Sequence, residues 1–225
     1  MMNASQAWSA HYDREHAPSR YCPENFVVRV LCSNAPVCFL PDKAFSGRRV
    51  LDLGCGHGRH IPLLSDLGFE VMGLEVSDPL VEHLRRTFPD ARFVRGRNAA
   101  IPLKDGSLDM ILAVNAIYYL DDPATAIAAV MAEAARVLKP GGALVCSFVG
   151  HRHSILDHAE RVGDAAVIRN DALGFRNGTA LRPLWENERL ADVLTPFAFH
   201  RGGHIFETAE GHRRHLHYAV AFKPS

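Results

Sequence analysis

The stretch VLDLGCGHGRH, residues 50–60, most tightly constrains what this chain can fold into. A short apolar run ends in three glycines at alternate positions, Gly54, Gly56 and Gly58. Glycine gives up side-chain contacts and loses more conformational freedom on ordering than any other residue. Three in one loop are tolerated where the backbone must turn sharply or where a ligand must approach it closely. An apolar run halted by glycine is the pattern of a buried parallel strand. In open α/β sheets, ligands bind beyond the carboxyl ends of such strands.

The rest of residues 48–149 keeps that rhythm. HIPLLSDLG carries apolar residues at helical spacing and closes at Gly68, FEVMGLEV is a second strand, and SDPLVEHLRRTFP opens on Ser77 or Asp78 as the helix N-cap. ARFVRG and LDMILAVNA supply a third and a fourth strand, and ALVCSFVG a fifth. Between the last two, DPATAIAAVMAEAARVLKPGG is expected to be a helix capped by Asp122 and ended by Lys139-Pro140-Gly141-Gly142. Strands alternating with helices predict βαβ units in a parallel, doubly wound sheet. The flanks differ. Residues 1–45 hold helical material without this rhythm, and residues 151–200 read as irregular apart from a helix at ENERLADVLTPF. The end of the chain reads as two antiparallel strands joined at Glu210-Gly211.

A formal net charge of zero gives no global field to draw the protein to nucleic acid or an anionic membrane, so neither partner is expected. Five cysteines, an odd number with no CxxC pair, read as reduced thiols in a cytoplasmic protein. The polar N-terminus has no apolar signal core, and no run of apolar residues is long enough to span a membrane. Among thirteen histidines, His212, His215 and His217 lack the cysteine or carboxylate that would complete a metal site, so no metal is expected. His215 and His217 share one face of the final strand, which is expected to be a surface face.

Glu75, at the end of the second strand, follows Gly54 by 21 residues. That spacing suits an acidic residue that accepts both ribose hydroxyls of a nucleotide-type ligand. The dinucleotide fingerprint GxGxxG would need glycine where this chain has Arg59. The glycines run GxGxG instead, with Asp52 two residues ahead, which argues against a nicotinamide-dependent oxidoreductase.

Four segments in order, VLDLGCGHGRH, GLEVSDPLVEHLRR, IPLKDGSLDMILAVNAIYYLDDP and EAARVLKPGGALV, make residues 48–149 resemble a class I S-adenosylmethionine-dependent methyltransferase. The resemblance implies a Rossmann-like, seven-stranded sheet, mostly parallel with an antiparallel last strand and helices on both faces. It divides the chain into a helical lid or cap at 1–45 and a methyltransferase domain at 46–225. In that domain, 48–149 would hold the cofactor and 150–225 would shape the substrate pocket. It implies S-adenosyl-L-methionine as methyl donor and S-adenosyl-L-homocysteine as product.

By the same resemblance, the backbone at Gly54, Cys55 and Gly56 and the carboxylate of Asp52 would receive the methionine portion. Glu75 would hold the ribose, and Val76 would pack on the adenine. An acidic residue often contacts the adenine amine, but here Arg97 stands in its place, and arginine cannot accept a hydrogen bond. Asn98, or the backbone at Asn98 and Ala99, is left to do so. Asn115 would face the methionine carboxylate or the reacting centre. Methyl transfer from a sulfonium is an in-line displacement that needs mainly alignment and exclusion of water. An oxygen nucleophile of high pKa also wants a general base. His151 and Tyr118 are the candidate catalytic residues, and Tyr12, Arg20, Tyr21 and Tyr119 the candidate lid and substrate residues. The expected function is methyl transfer to an oxygen or nitrogen of a small molecule by a monomer or homodimer. A non-catalytic cofactor-binding protein and a protein or RNA methyltransferase are the alternatives.

Overall fold

A computed structural model describes residues 3–12 and 22–225, and the lid candidates Arg20 and Tyr21 lie outside them. Helices α1 (Ala4–Tyr12) and α2 (Asn25–Cys32) come first. The alternating region follows as β1 (Arg49–Leu53), α3 (Ile61–Asp66), β2 (Glu70–Glu75), α4 (Asp78–Thr87), β3 (Arg92–Arg95) and β4 (Leu108–Ala113). It continues through β5 (Tyr119–Leu120), α5 (Ile127–Val137) and β6 (Leu138–Val149). Three short strands come next, β7 (Glu160–Val162), β8 (Ala165–Val167) and β9 (Ala180–Leu181). A four-residue helix α6 (Leu190–Val193) leads into the closing strands β10 (Ala198–Ala209) and β11 (His212–Phe222).

Seven strands form one sheet in the order β3-β2-β1-β4-β6-β11-β10. The five from β3 to β6 are parallel, and β11 runs antiparallel between β6 and β10. The expected architecture is therefore present, Rossmann-like and mostly parallel with an antiparallel last strand. Leu51, Leu53, Ile111 and Phe148 turn to one face and pack with Val130, Met131 and Ala134 of α5. Val50, Leu112 and Val145 turn to the other and pack with Leu64 of α3, Leu80 and Leu84 of α4, and Val27 and Val30 of α2. Burial on both faces is why these strands read as continuous apolar runs. The chain leaves β1 toward β2 and β3, then returns to place β4 on the other side of β1. That reversal opens a crevice beyond the carboxyl ends of β1 and β4.

Local sequence accounts for several boundaries. Ser77 caps α4, its hydroxyl oxygen accepting from Leu80 N at 3.3 Å. Glu210 (φ 49°) and Gly211 (φ 83°) are both left-handed, the two-residue turn that matches the twist of a hairpin. Elsewhere the expectations need correction. Asp122 does not cap α5. Its carboxylate accepts from Ala124 N at 2.9 Å in a separate turn, and the helix starts only at Ile127. The helix expected at ENERLADVLTPF is reduced to the four residues of α6. Residues 151–200, expected to be irregular, instead supply β7, β8 and β9, which join β5 in a second, antiparallel sheet in the order β5-β9-β8-β7. His215 is not on the surface but 6% exposed, packed against Gly150, where a Cβ would lie 2.4 Å from its Nδ1.

The left-handed conformation strains Glu210, whereas asparagine visits it readily. Glu210→Asn is expected to stabilise the protein by up to about 1 kcal/mol, and Gly211→Ala to destabilise it by about 1 kcal/mol or more. Urea unfolding of the two variants checks both signs.

Candidate functional site

The loop after β1 takes its shape from the alternating glycines, with φ +68° at Gly54, +53° at Gly56 and +79° at Gly58. A side chain at any of the three would be strained. Each glycine also serves a different contact. A Cβ on Gly54 would lie 2.5 Å from Ala116 Cβ, so its absence lets the ends of β1 and β4 close together. One on Gly58 would meet Phe88 at 2.6 Å and Leu84 at 3.1 Å, so the third glycine serves helix packing. One on Gly56 would lie 3.1 Å from the hydroxyl of Tyr12, across the cavity from α1.

Glu75 clasps this loop. Gly56 N donates to its Oε2 at 2.9 Å and Val76 N to its Oε1 at 2.7 Å, with the residue 4% exposed. Burial pushes the carboxyl up to about 7 against the pull of those two amides, and nearby Asp52 adds to the rise. Asp52 itself is 1% exposed, and its Oδ2 has no hydrogen-bond partner. His60 Nδ1 lies 3.5 Å from that oxygen without donating to it.

A cavity of about 460 Å³ opens between this loop, the ends of β2 and β4, and helix α1. Gly54, Cys55, Gly56, Glu75 and Val76 line it from one side, and Asn98, Ala99 and Asn115 from another. Asp52 is not on the wall but beneath the loop. Asn98 Nδ2 donates to Ala116 O at 2.9 Å, which leaves the side-chain oxygen as an acceptor at the wall. Arg97 is not on the wall, but its guanidinium lies 3.7 Å from Asp121, which is. Asn115, left-handed at φ 55°, is held by Ser147 Oγ accepting from its amide N at 2.9 Å.

Tyr12 and Tyr119 both line the cavity. Burial and the neighbouring Glu75 push the Tyr12 phenol well above its ordinary value. The two catalytic candidates are placed elsewhere. Tyr118 is buried outside the wall, and burial raises its phenol well above its ordinary value. His151 is also off the wall, its ring 5.2 Å from that of His215 and its Nε2 buried without a partner.

Sequence reasoning missed three features. Trp8 and His11 of α1 form part of the wall, and His11 stacks on Phe175 with 3.9 Å between ring centroids. Glu24 accepts from Arg59 at 3.1 Å, Asn115 Nδ2 at 3.1 Å and Arg214 at 2.6 Å, joining two wall residues to β11. Burial alone would raise the Glu24 carboxyl, but the two arginines and Asn115 outweigh it and hold it below the ordinary range. Arg176, on the loop between β8 and β9, reaches the hydroxyl of Tyr119 at 3.3 Å. Nothing local in the sequence marks Glu24 or Arg176. The aromatic spacing of Trp8, His11 and Tyr12 on one short helix was the available signal for α1.

Residues 51–146 match a family described as a methyltransferase domain. A probable S-adenosylmethionine-dependent methyltransferase of Mycolicibacterium smegmatis is 35% identical over 102 residues, 45% of this chain and 38% of that protein. The chain spans less than half the length of the curated relatives it matches. Its fold is similar to that of an S-adenosylmethionine-dependent methyltransferase from Methanosarcina mazei (TM-score 0.67, 16% identity, 91% of this chain and 99% of that one). It is also similar to the Burkholderia thailandensis 1,6-didemethyltoxoflavin-N1-methyltransferase, solved with that compound and S-adenosylhomocysteine bound. There the TM-score is 0.58 at 18% identity, over 80% of this chain and 72% of that one. Residues 51–146 thus match a methyltransferase domain, and the fold is the one these S-adenosylmethionine-dependent methyltransferases share. No described helix is long and apolar enough to cross a membrane.

The Glu75 carboxyl stays neutral in the fold up to about pH 7, whereas in the unfolded chain it ionises above about 4.5. Between those values the unfolded chain holds fewer protons than the folded one, so stability falls as pH rises. The loss through this group is expected to reach roughly 3 kcal/mol at completion. Comparing urea unfolding of wild type and Glu75→Gln from pH 4.5 to 7.5 should show that slope in the wild type and its removal in the variant.

Proposed function

We propose that this protein transfers a methyl group from S-adenosylmethionine to a small molecule held in the same cavity. The observation that carries the proposal is the Glu75 clasp, a buried acid at the end of β2 bonded to the glycine loop at the end of β1. The residues present fit the cofactor. The Asp52 Oδ2, beneath the loop and without a hydrogen bond, would favour a cationic amino group across the loop or through a water rather than from the wall itself. Gly56 has no side chain between its backbone and the Tyr12 hydroxyl, so backbone is what the methionine portion would meet there. Glu75 has lone pairs beyond those its two amides use, enough to accept from ribose hydroxyls. Val76 offers an apolar edge to the adenine, Asn98 and Ala99 offer acceptors to its amine, and Asn115 faces the methionine end.

When bound, S-adenosylmethionine supplies a methyl group on a sulfonium that is its own leaving group. The chain's contribution is alignment and shelter. Helix α1, as a lid, puts Trp8 and Tyr12 over the cavity, where they exclude water and present aromatic faces to a cation. Alignment of this kind is worth roughly 7–11 kcal/mol in favourable cases, so no dedicated base is required for a reactive nucleophile. A walled cavity of about 460 Å³ supports a small acceptor over a polymer. The Burkholderia enzyme, whose named substrate is small, supports the same choice.

Calorimetry with S-adenosylhomocysteine tests this reading. Binding is expected, and Glu75→Ala should weaken it about tenfold or more, since hydrogen bonds to charged groups contribute about 1.5–3 kcal/mol. Ribose hydroxyls favour the ionised carboxylate, so affinity should rise as pH passes upward through about 7 and level off in Glu75→Gln. Absence of binding to the wild type refutes the proposal.

A further inference from the structure

Strand β10 ends the large sheet, paired with β11 on one side and with no described strand on the other. Every residue in it is exposed except Gly203 and Ile205, which are half-buried. An edge strand shows a row of unpaired N–H and C=O groups, a template for pairing with another chain. Folded proteins commonly protect long edges with lysine or proline, and the β10 sequence AFHRGGHIFETA holds neither. A register shift between Phe199 and Arg201 lies near its start. From Arg201 to Ala209 the pairing with β11 is unbroken, so the outer edge is regular over the rest of its length.

The side chains along this edge are complementary to themselves. Arg201 and Glu207 stand three residues to either side of His204, and Gly202 and Phe206 stand two residues to either side. Alternation along a strand puts Arg201 and Glu207 on one face of the sheet and Gly202, His204 and Phe206 on the other. Consider a second copy laid antiparallel against β10, on a two-fold axis perpendicular to the sheet at His204. Each Arg201 then stands opposite the other copy's Glu207. Each Phe206, 47% exposed in the single chain, stands opposite the other copy's Gly202. An aromatic ring beside a glycine on an edge strand covers backbone that the glycine leaves bare. Moving the axis to Gly203 or Ile205 breaks both pairings, because Arg201 then faces Ile205 or Ala209. Glu207 has room for a second arginine. Arg214 on β11 donates to its Oε2 at 3.2 Å, yet its side chain stays 62% exposed, and a carboxylate accepts more than one such bond. A patch that matches itself under a two-fold is what a closed dimer requires, whereas an unrelated partner has no need of it.

We propose that two copies of this protein associate through β10, joining their seven-stranded sheets edge to edge about His204. Two Arg201–Glu207 pairs set the register, and the two Phe206 rings cover the facing glycines. The proposal stands apart from the methyl-donor reading, since β10 contributes nothing to the cavity wall and each copy keeps its own cavity.

Sedimentation velocity of the full chain over a concentration series tests it, with circular dichroism to show that each variant folds. The wild type is expected to form a reversible dimer. Arg201→Glu and Glu207→Arg each turn both attractive pairs into like-charge ones, and each alone should raise the dimer dissociation constant about tenfold or more. Mixed in equal amounts, the two variants should recover the dimer, because every pair between unlike copies again joins opposite charges. Arg201→Lys keeps the charge and leaves the Glu207–Arg214 pair intact, so it should dimerise within a few-fold of the wild type. If Glu207→Arg does not fold beside Arg214, the contrast between Arg201→Lys and Arg201→Glu decides. A wild type that stays monomeric at every concentration, a dimer indifferent to Arg201→Glu, or a mixture of folded variants that stays monomeric overturns the proposal.

Discussion

Two backbone amides, Gly56 N and Val76 N, converge on the carboxylate of Glu75, and the shape of the site follows from that convergence. The first amide belongs to the loop leaving β1 and the second to the residue after β2, so one side chain fixes two strand ends relative to each other. The loop can reach Glu75 only because Gly54, Gly56 and Gly58 accept left-handed backbone. Once it does, Asp52 is trapped beneath the loop, Gly56 faces the Tyr12 hydroxyl with backbone alone, and Val76 joins the cavity wall. Placing an acid where burial holds it near neutrality costs stability, and the protein accepts that cost at the point where a ligand's hydroxyls would offset it.

Two buried side-chain atoms among the described residues have no hydrogen-bond partner. They are Asp52 Oδ2 beneath the glycine loop and His151 Nε2 beside the ring of His215. The buried acids that serve structure are treated differently. Glu24 takes three side-chain donors, and Asp171 takes one guanidinium and two backbone amides. Burial and charge act on all of these carboxyl groups, but Glu24 and Asp171 are held below the ordinary range while Glu75 is pushed above it. The contrast separates the groups that stabilise this fold from those left for something else to complete.

The parts of this arrangement that were legible in the sequence are those written in local pattern. A glycine loop after an apolar run, an acid 21 residues beyond Gly54, a serine ahead of α4 and a turn at Glu210-Gly211 each depend on neighbours in sequence. The second sheet was not legible, because its strands are two or three residues long and pair across gaps that no periodicity reveals. Asp122 looked like a helix cap, but the turn it closes, with Thr125 N donating to its carbonyl at 2.9 Å, delays α5 to Ile127. Glu24 meets Arg214 from 190 residues away, and Arg176 meets Tyr119 from 57, so neither partnership has a local signature. His151 follows the fifth parallel strand as expected, yet its ring turns toward His215 and away from the cavity wall.

The central claim is that the clasped glycine loop receives the methyl donor under α1. Amide hydrogen exchange with and without S-adenosylhomocysteine reads that claim most directly. Peptides covering residues 50–60, 70–77 and 3–12 should exchange more slowly with the ligand, while those covering the hairpin turn at 207–214 should not change. Protection confined to other regions, or none at a ligand concentration that saturates calorimetric binding, would contradict it.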